Sequence, residues 1–359
     1  MNKKIFVVGI TLFSMFFGAG NLIFAPWIGA QAGSAGFVAL AGMMVTAVCM
    51  PIAALCVISL YPSAKDMAGR IWKPLGPLFM TLVYLLIGPC IAIPRTASTA
   101  MEMWSWLIDG RLAQTVCIFL FFLAACLMAA RPGRLQDILG KVLGPLLLVL
   151  ILFLSVPLLT SPESVAAPAG AYETAPFMTG LNEGYQTMDI LAAFCFGSVI
   201  VLNIRQAHLE NERRSLAQAS VIAGVLLGAV YGLLGYAAIR HSGSLQVYSN
   251  GAQILSAAAH MSYGAYGQLL CAVIFLVACL NVCAGLLACT SQYFSTLITV
   301  LSYRQWLALF TVAGALMACT GLNAILSWSG RLLSLICPVA IVILLTGIVM
   351  HFKDKRSAV

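Results

Sequence analysis

Two short stretches carry most of the residues whose type and spacing suit chemistry: Phe16-Phe17-Gly18-Ala19-Gly20-Asn21 and Phe194-Cys195-Phe196-Gly197-Ser198. Each disrupts a long apolar run near its midpoint. Unwound backbone at mid-membrane depth is tolerated only where it is buried or lines a cavity, and there it offers free N–H groups to an anion and free carbonyls to a cation. A zwitterionic amino acid with a small cation is the ligand set such backbone suits. The plainer reading of Gly18 and Gly20 is close helix packing, since small residues are common at membrane helix interfaces. Asn21 and Pro26 weigh against it: a buried Asn needs partners, and Pro26 removes a backbone hydrogen bond just beyond the glycine pair.

Arg95 and Asp189 are the clearest ionic residues within apolar runs, and burying such groups is costly enough to make them functional candidates. They fall at similar depth toward the outer side, so a gate pair is one expectation. The other is separate satisfaction, Arg95 by snorkelling toward Glu102 and Asp189 by groups such as Thr187. Other chemistries lack their residues. Intramembrane aspartyl proteolysis needs two facing aspartates, and a serine or metal mechanism needs a histidine centrally placed in a span. The four histidines, His208, His241, His260 and His351, show no metal-ligand spacing. Most of the twelve cysteines lie in apolar segments and read as small hydrophobes. No catalytic residue is expected.

The elements that position these residues must be membrane helices. Of 359 residues, 62% are hydrophobic and only 8% charged, too few charges to cover a water-soluble surface. The net charge of +8 does not form the basic face a nucleic acid needs; the cations punctuate apolar runs. Runs long enough to span lie near residues 5–30, 35–60, 77–101, 112–130, 138–159, 185–203, 217–239, 267–299, 304–322 and 326–352, about ten in all. Ala30-Gln31-Ala32 resembles a signal-peptide cleavage site, but the apolar stretch before it is about twice the length of an h-region, so it is read as the first span. With both termini inside, the inner segments hold fifteen Lys and Arg and the outer ones only Arg111, Arg240 and Arg331, with Arg95 inside a span. The outer loop 160–184 carries Glu163, Glu173 and Glu183 and no cation. Residues 247–260 are too short to span and predict an interfacial or re-entrant helix outside. The disrupted runs, first and sixth, are five apart, which predicts an inverted repeat of residues 1–159 and 185–352.

The stretches LFSMFFGAGNLIFAPWIGAQAG (Leu12 to Gly33), GPCIAIPRTAST (Gly88 to Thr99), EGYQTMDILAAFCFG (Glu183 to Gly197), SNGAQIL (Ser249 to Leu255) and LSYR (Leu301 to Arg304) together resemble the bacterial branched-chain amino acid:cation symporters. The resemblance covers nearly the whole chain. It implies an all-α integral membrane transporter of the LeuT-like five-plus-five inverted repeat, with discontinuous helices one and six. It also implies uptake of leucine, isoleucine and valine across the bacterial inner membrane. Sodium is the usual co-substrate, and no resident cofactor is implied.

The wider fold's first-helix pattern Gly-x-Gly-Asn-x4-Pro is met by Gly18, Gly20, Asn21 and Pro26. By that likeness the N–H groups around Ala19 and Gly20 hold the substrate carboxylate. The carbonyls near Ser14, Phe16 and Phe17 face the amino group and cation, and Asn21 supplies a ligand oxygen. Phe194, Phe196 and Gly197 wall the side-chain pocket. Two departures stand out. Family members tend to carry a hydroxyl after Ala-Cys-Leu in the eighth run, whereas Ala278-Cys279-Leu280 is followed by Asn281, Val282 and Cys283, leaving Asn281 and Cys283 as side-chain candidates for the cation. The chain also ends after the tenth run, where relatives usually continue with two more. A proton-coupled or altered-substrate transporter and a non-transporting homologue are the alternatives.

Overall fold

The computed structural model describes residues 3–108, 110–130, 144–161, 163–206 and 212–357, and among them every regular element is helical. Helix is the outcome lipid enforces, because each backbone N–H and C=O then needs a partner within its own segment. The expected runs fall largely on helix where they are described; the start of the fifth, residues 138–143, lies outside the described residues, and the sixth is unwound at 186–188. Among the described residues, six helical stretches are long and apolar enough to cross a bilayer: Ala19–Ile58, Leu75–Trp104, Arg111–Ala129, Glu212–Arg240, Ala265–Leu297 and Leu322–Lys353.

The first run is two helices, α1 (Lys3–Phe16) and α2 (Ala19–Ala32), separated at Phe17-Gly18. Gly18 is extended (φ −133°, ψ −158°) and starts α2, which carries Pro26 inside it. The second run, α3 (Gly36–Met44) and α4 (Met50–Ile58), is joined by a π-helical turn over Val45–Cys49. A short α5 (Ala64–Gly69) leads to the third run. There α6 (Leu75–Leu85) and α7 (Ala92–Trp104) meet at a second π turn, Leu86–Cys90, kinked at Gly88 (φ −82°, ψ −127°) ahead of Pro89. Helices α8 (Arg111–Ala129) and α9 (Gly144–Thr160) follow.

The sixth run departs from expectation. Its break is not at Phe194–Ser198; α11 (Asp189–Gln206) runs through those residues without interruption. The chain is unwound instead at Gln186–Met188, where Met188 takes a positive φ of 64°. Ahead of it lies α10 (Pro176–Tyr185), in a segment expected to be outer loop. Glycines let α10 lie backbone to backbone on α3: a Cβ at Gly180 would stand 1.9 Å from the Ala39 carbonyl oxygen, and one at Gly42 would stand 2.1 Å from that of Phe177. α10 and α11 are therefore the two halves of the broken sixth element.

Helix α12 (Glu212–Arg240) packs along both α1 and α2, and the short α13 (Ser242–Leu245) follows it. Nearby, the Arg240 guanidinium pairs with Glu163 at 2.9 Å. The expected outer helix forms the start of α14 (Gly251–Leu297), which kinks at Gly264 (φ +60°) before its membrane stretch. Helices α15 (Tyr303–Ala318) and α16 (Leu322–Ser357) complete the described fold.

Candidate functional site

The two breaks lie side by side. A Cβ at Gly20 would come within 3.2 Å of the Thr187 Cα and 2.8 Å of Arg95 Nη2, so only a glycine lets the α2 start, the α10–α11 break and α7 approach this closely. Gly18 does the same toward α14, where Val282 Cγ2 would stand 2.7 Å from a Cβ. A small cavity of about 30 Å³ opens at this junction, lined by Gly18, Ala19, Gly20, Asn21, Arg95, Thr187 and Asp189, with apolar walls from Met15, Phe16, Ile87, Ala192, Phe196 and Leu286.

Helix ends set its electrostatics. α2 and α11 both begin at the junction, while α1 and α10 both end there. Two N-termini and two C-termini thus converge, a source of partial charge of both signs. The last helical bond of α1 runs from Phe17 N–H to the Phe13 carbonyl, and the next N–H, that of Gly18, donates to Asn21 Oδ1 at 2.9 Å. The carbonyls of Ser14, Met15, Phe16 and Phe17 are thereby released from the helix ladder.

Asn21, Asp189 and Tyr231 form a buried network. Asn21 Nδ2 donates to Asp189 Oδ2 at 2.8 Å, Tyr231 Oη donates to the same oxygen at 2.9 Å, and Asn21 also contacts Tyr231 Oη. Thr187 Oγ1 accepts from the Asp189 N–H at 3.5 Å. Arg95 does not pair directly with Asp189. Its Nη1 donates to the Gln186 carbonyl at 2.7 Å, and its guanidinium lies 5.7 Å from the Phe24 ring centre. Nor does it snorkel to Glu102, which accepts from Gln253 Nε2 at 3.1 Å.

The sequence-predicted residues divide accordingly. Phe16, Gly18, Ala19, Gly20, Asn21, Phe196, Arg95 and Asp189 meet at the cavity, with Phe16 and Phe196 edge to face at 5.6 Å. Phe194 packs against Phe79 of α6 at 5.0 Å, and Gly197 turns toward Leu55 and Ile58 of α4. Neither lines the cavity. Phe17 is buried in a stack on Phe13. Ser14 Oγ and both amide atoms of Asn281 are fully buried without a hydrogen-bond partner. Cys283 faces Thr96 and Cys126. Sequence reasoning missed Tyr231, Ile87 and Leu286 as members of the site. Tyr231 had no signal beyond being a polar tip in an apolar run.

Two broken helices that meet at a buried polar cavity, in a bundle whose described elements are all helical, define a LeuT-like fold. The same fold is seen in the crystal structure of MhsT in complex with L-phenylalanine, with a TM-score of 0.64, 16% identity and coverage of 94% of this chain and 87% of that one. A family profile described as "Branched-chain amino acid transport protein" matches residues 1–359. The branched-chain amino acid permease BrnQ of Bacillus subtilis (strain 168) is 35% identical over 373 residues, covering 99% of this chain and 85% of the permease. BraB of the same organism is 33% identical over 366 residues (99% and 82%), and BrnQ of Corynebacterium glutamicum is 33% identical over 349 residues (97% and 81%). The chain belongs to the branched-chain amino acid transport protein family. It is a multi-pass membrane transport protein rather than an enzyme.

Proposed function

We propose that this protein imports leucine, isoleucine and valine together with a cation, and that the cavity between the two breaks is the substrate site. The carrying observation is the pairing of a polar, helix-end-lined pole with an apolar wall from Met15, Phe16, Ile87, Phe196 and Leu286. An aliphatic side chain fits that wall, where each buried methylene contributes about 0.8 kcal/mol. Phe24 and Gln186 border a recess on the outer side that also includes Trp27, Glu183 and Asn250. Arg95, bound to Gln186 and stacked on Phe24, closes the cavity from that recess.

Sodium is the first choice of co-substrate cation, with Ser14, the Phe17 carbonyl, Asn21 and Asn281 as its ligand candidates. The released carbonyls and the two unpartnered buried side chains support this reading. Proton coupling is the second reading, favoured by Val282, which presents only hydrocarbon to the α1 break. The basic-residue bias supports cytoplasmic termini in a bacterial inner membrane. The repeat would pair residues 1–159 with 185–352, the second half extended back to include α10. Uptake of labelled leucine into proteoliposomes under separate sodium and proton gradients tests the proposal. Uptake accelerated by one gradient is expected; no accumulation of any branched-chain amino acid under either would overturn it.

A further inference from the structure

We propose that Asp189 and Arg95 bind the two charged ends of the substrate zwitterion directly, Asp189 receiving the ammonium group and Arg95, with the first N–H groups of α2, receiving the carboxylate. This rests on the amino acid reading of the cavity given above.

Both side chains line the same enclosed space and are almost fully buried, Arg95 at 3% and Asp189 at 2% exposure. An ion at this depth requires compensation, because a buried charge has lost its hydration. Each feels the other's charge through space, but no direct ion pair closes between them. Arg95 spends Nη1 on a neutral carbonyl, and Asp189 spends Oδ2 on two neutral donors, Asn21 and Tyr231. Such bonds orient the groups and leave a net charge on each.

The remaining valences point to a ligand. Arg95 Nη2 lies over the first turn of α2, 2.8 Å from where a Gly20 Cβ would sit. The N–H groups of Ala19, Gly20 and Asn21 stand in that first turn, where a helix supplies no acceptor. Guanidinium and N-terminus make one positive pole, and Asp189 makes a negative pole. A free carboxylate ligand would satisfy the first and be repelled by the second; a simple amine would do the reverse. A zwitterion neutralises both, and its side chain is then directed at the apolar wall. The rival occupant for Asp189 is the coupling cation.

The test titrates three ligands against purified full-length protein, reading affinity from the ligand-induced rise in unfolding temperature at saturating sodium. The ligands are leucine, its α-hydroxy analogue, which lacks the ammonium, and its primary amide, which lacks the carboxylate. In Asp189→Asn, leucine should weaken by about thirtyfold, the scale of one charge-assisted contact, while the hydroxy analogue, freed from repulsion by the carboxylate, should not weaken. In Arg95→Gln, leucine should weaken similarly and the amide, freed from repulsion by the guanidinium, should not weaken. Asn at 189 keeps an acceptor for Tyr231; if that variant does not fold, Asp189→Ser takes its place. Equal loss of leucine and hydroxy analogue would mean a purely structural role and overturns the proposal. So does an altered sodium or pH dependence with leucine affinity unchanged, which would make Asp189 the cation carrier. Wild-type protein that binds no branched-chain amino acid overturns the parent reading itself, before any variant is compared.

Discussion

Asn21 Nδ2 stands 2.8 Å from Asp189 Oδ2, joining the break in the first element to the break in the sixth across 168 residues of sequence. The same amide accepts from the Gly18 N–H through Oδ1. One side chain therefore caps α2 and steadies the carboxylate that begins α11. Asn21→Ala removes both bonds and leaves buried groups unpaired, at about 1 to 3 kcal/mol. Asn21→Asp should do worse, because it sets two carboxylates side by side. Thermal unfolding of both variants in detergent checks this order; an Asp variant as stable as wild type would contradict the network.

Gly20 is predicted to be intolerant of any side chain. A Cβ there meets Arg95 Nη2 and the Thr187 backbone at once, and neither can retreat without opening the junction of the breaks. Gly20→Ala should lower leucine uptake by at least about tenfold, or ~1.4 kcal/mol. Gly20→Leu should abolish it while the protein still reaches the membrane. Retained uptake in folded Gly20→Leu protein would remove the cavity from the transport path.

The assignment of α10 to the bundle makes its own prediction. Gly184 lies where a Cβ would stand 2.0 Å from Thr46 Oγ1, and Thr46 Oγ1 donates to the Leu181 carbonyl at 2.9 Å. Gly184→Val should separate α10 from the second element and lower the unfolding temperature by several degrees. The same change at Gly170, where nothing stands within 4 Å, tests strain without packing, because its φ is +57°. If both cost the same, the contact with Thr46 does not hold α10.

How far the sequence discloses this site depends on what each break is made of. The first is written in residues that cannot propagate a helix comfortably, and Gly18, Gly20 and Asn21 stand where expected. The sixth is unwound at Gln186-Thr187-Met188, three residues with no glycine or proline, so local propensity carries no signal. The glycine that drew attention, Gly197, sits inside α11 facing Ile58, where small size serves packing. Phe194 was misplaced for the same reason: without the true start of α11, its face cannot be assigned. Helix α10 is likewise hard to read from sequence, because Gly180 and Gly184, which repeat at helical spacing, also suit a loop. Arg95 and Asp189 were legible as costly charges, but their partners, Gln186 and Tyr231, come from distant elements and only the fold brings them close.

The expected orientation is open to thiol labelling. Thr174 and Lys73 are both exposed and lie on opposite sides by the basic-residue count. The native exposed cysteines Cys49 and Cys319 are first replaced by Ser. An impermeant maleimide should then label Thr174→Cys in intact cells and Lys73→Cys only after permeabilisation. The reverse pattern would invert the bundle and place the recess at Trp27 and Glu183 inside.

Val282 sets the last prediction, which concerns the coupling ion. Its methyl groups lie against Gly18, at the point where α1 releases the carbonyls of Ser14 through Phe17. Sodium favours oxygen ligands, and a valine side chain gives it none. The helix around Val282 is regular, so its own carbonyl is held in the ladder. A cation bound here must draw on the released carbonyls and on a neighbour such as Ser14 or Asn281, each buried without a partner. An imperfect replacement for one oxygen costs about 1 to 3 kcal/mol, or one to two powers of ten in affinity. Val282→Thr is nearly isosteric and places a hydroxyl beside the break. The concentration of sodium for half-maximal leucine uptake should therefore fall by about tenfold or more in the variant, with the proton-driven component unchanged. Serine at the same position should act in the same direction, because the hydroxyl and not the bulk is what matters. If wild-type uptake already saturates at low sodium and neither substitution moves it, the cation binds elsewhere and Val282 is only a packing residue over Gly18.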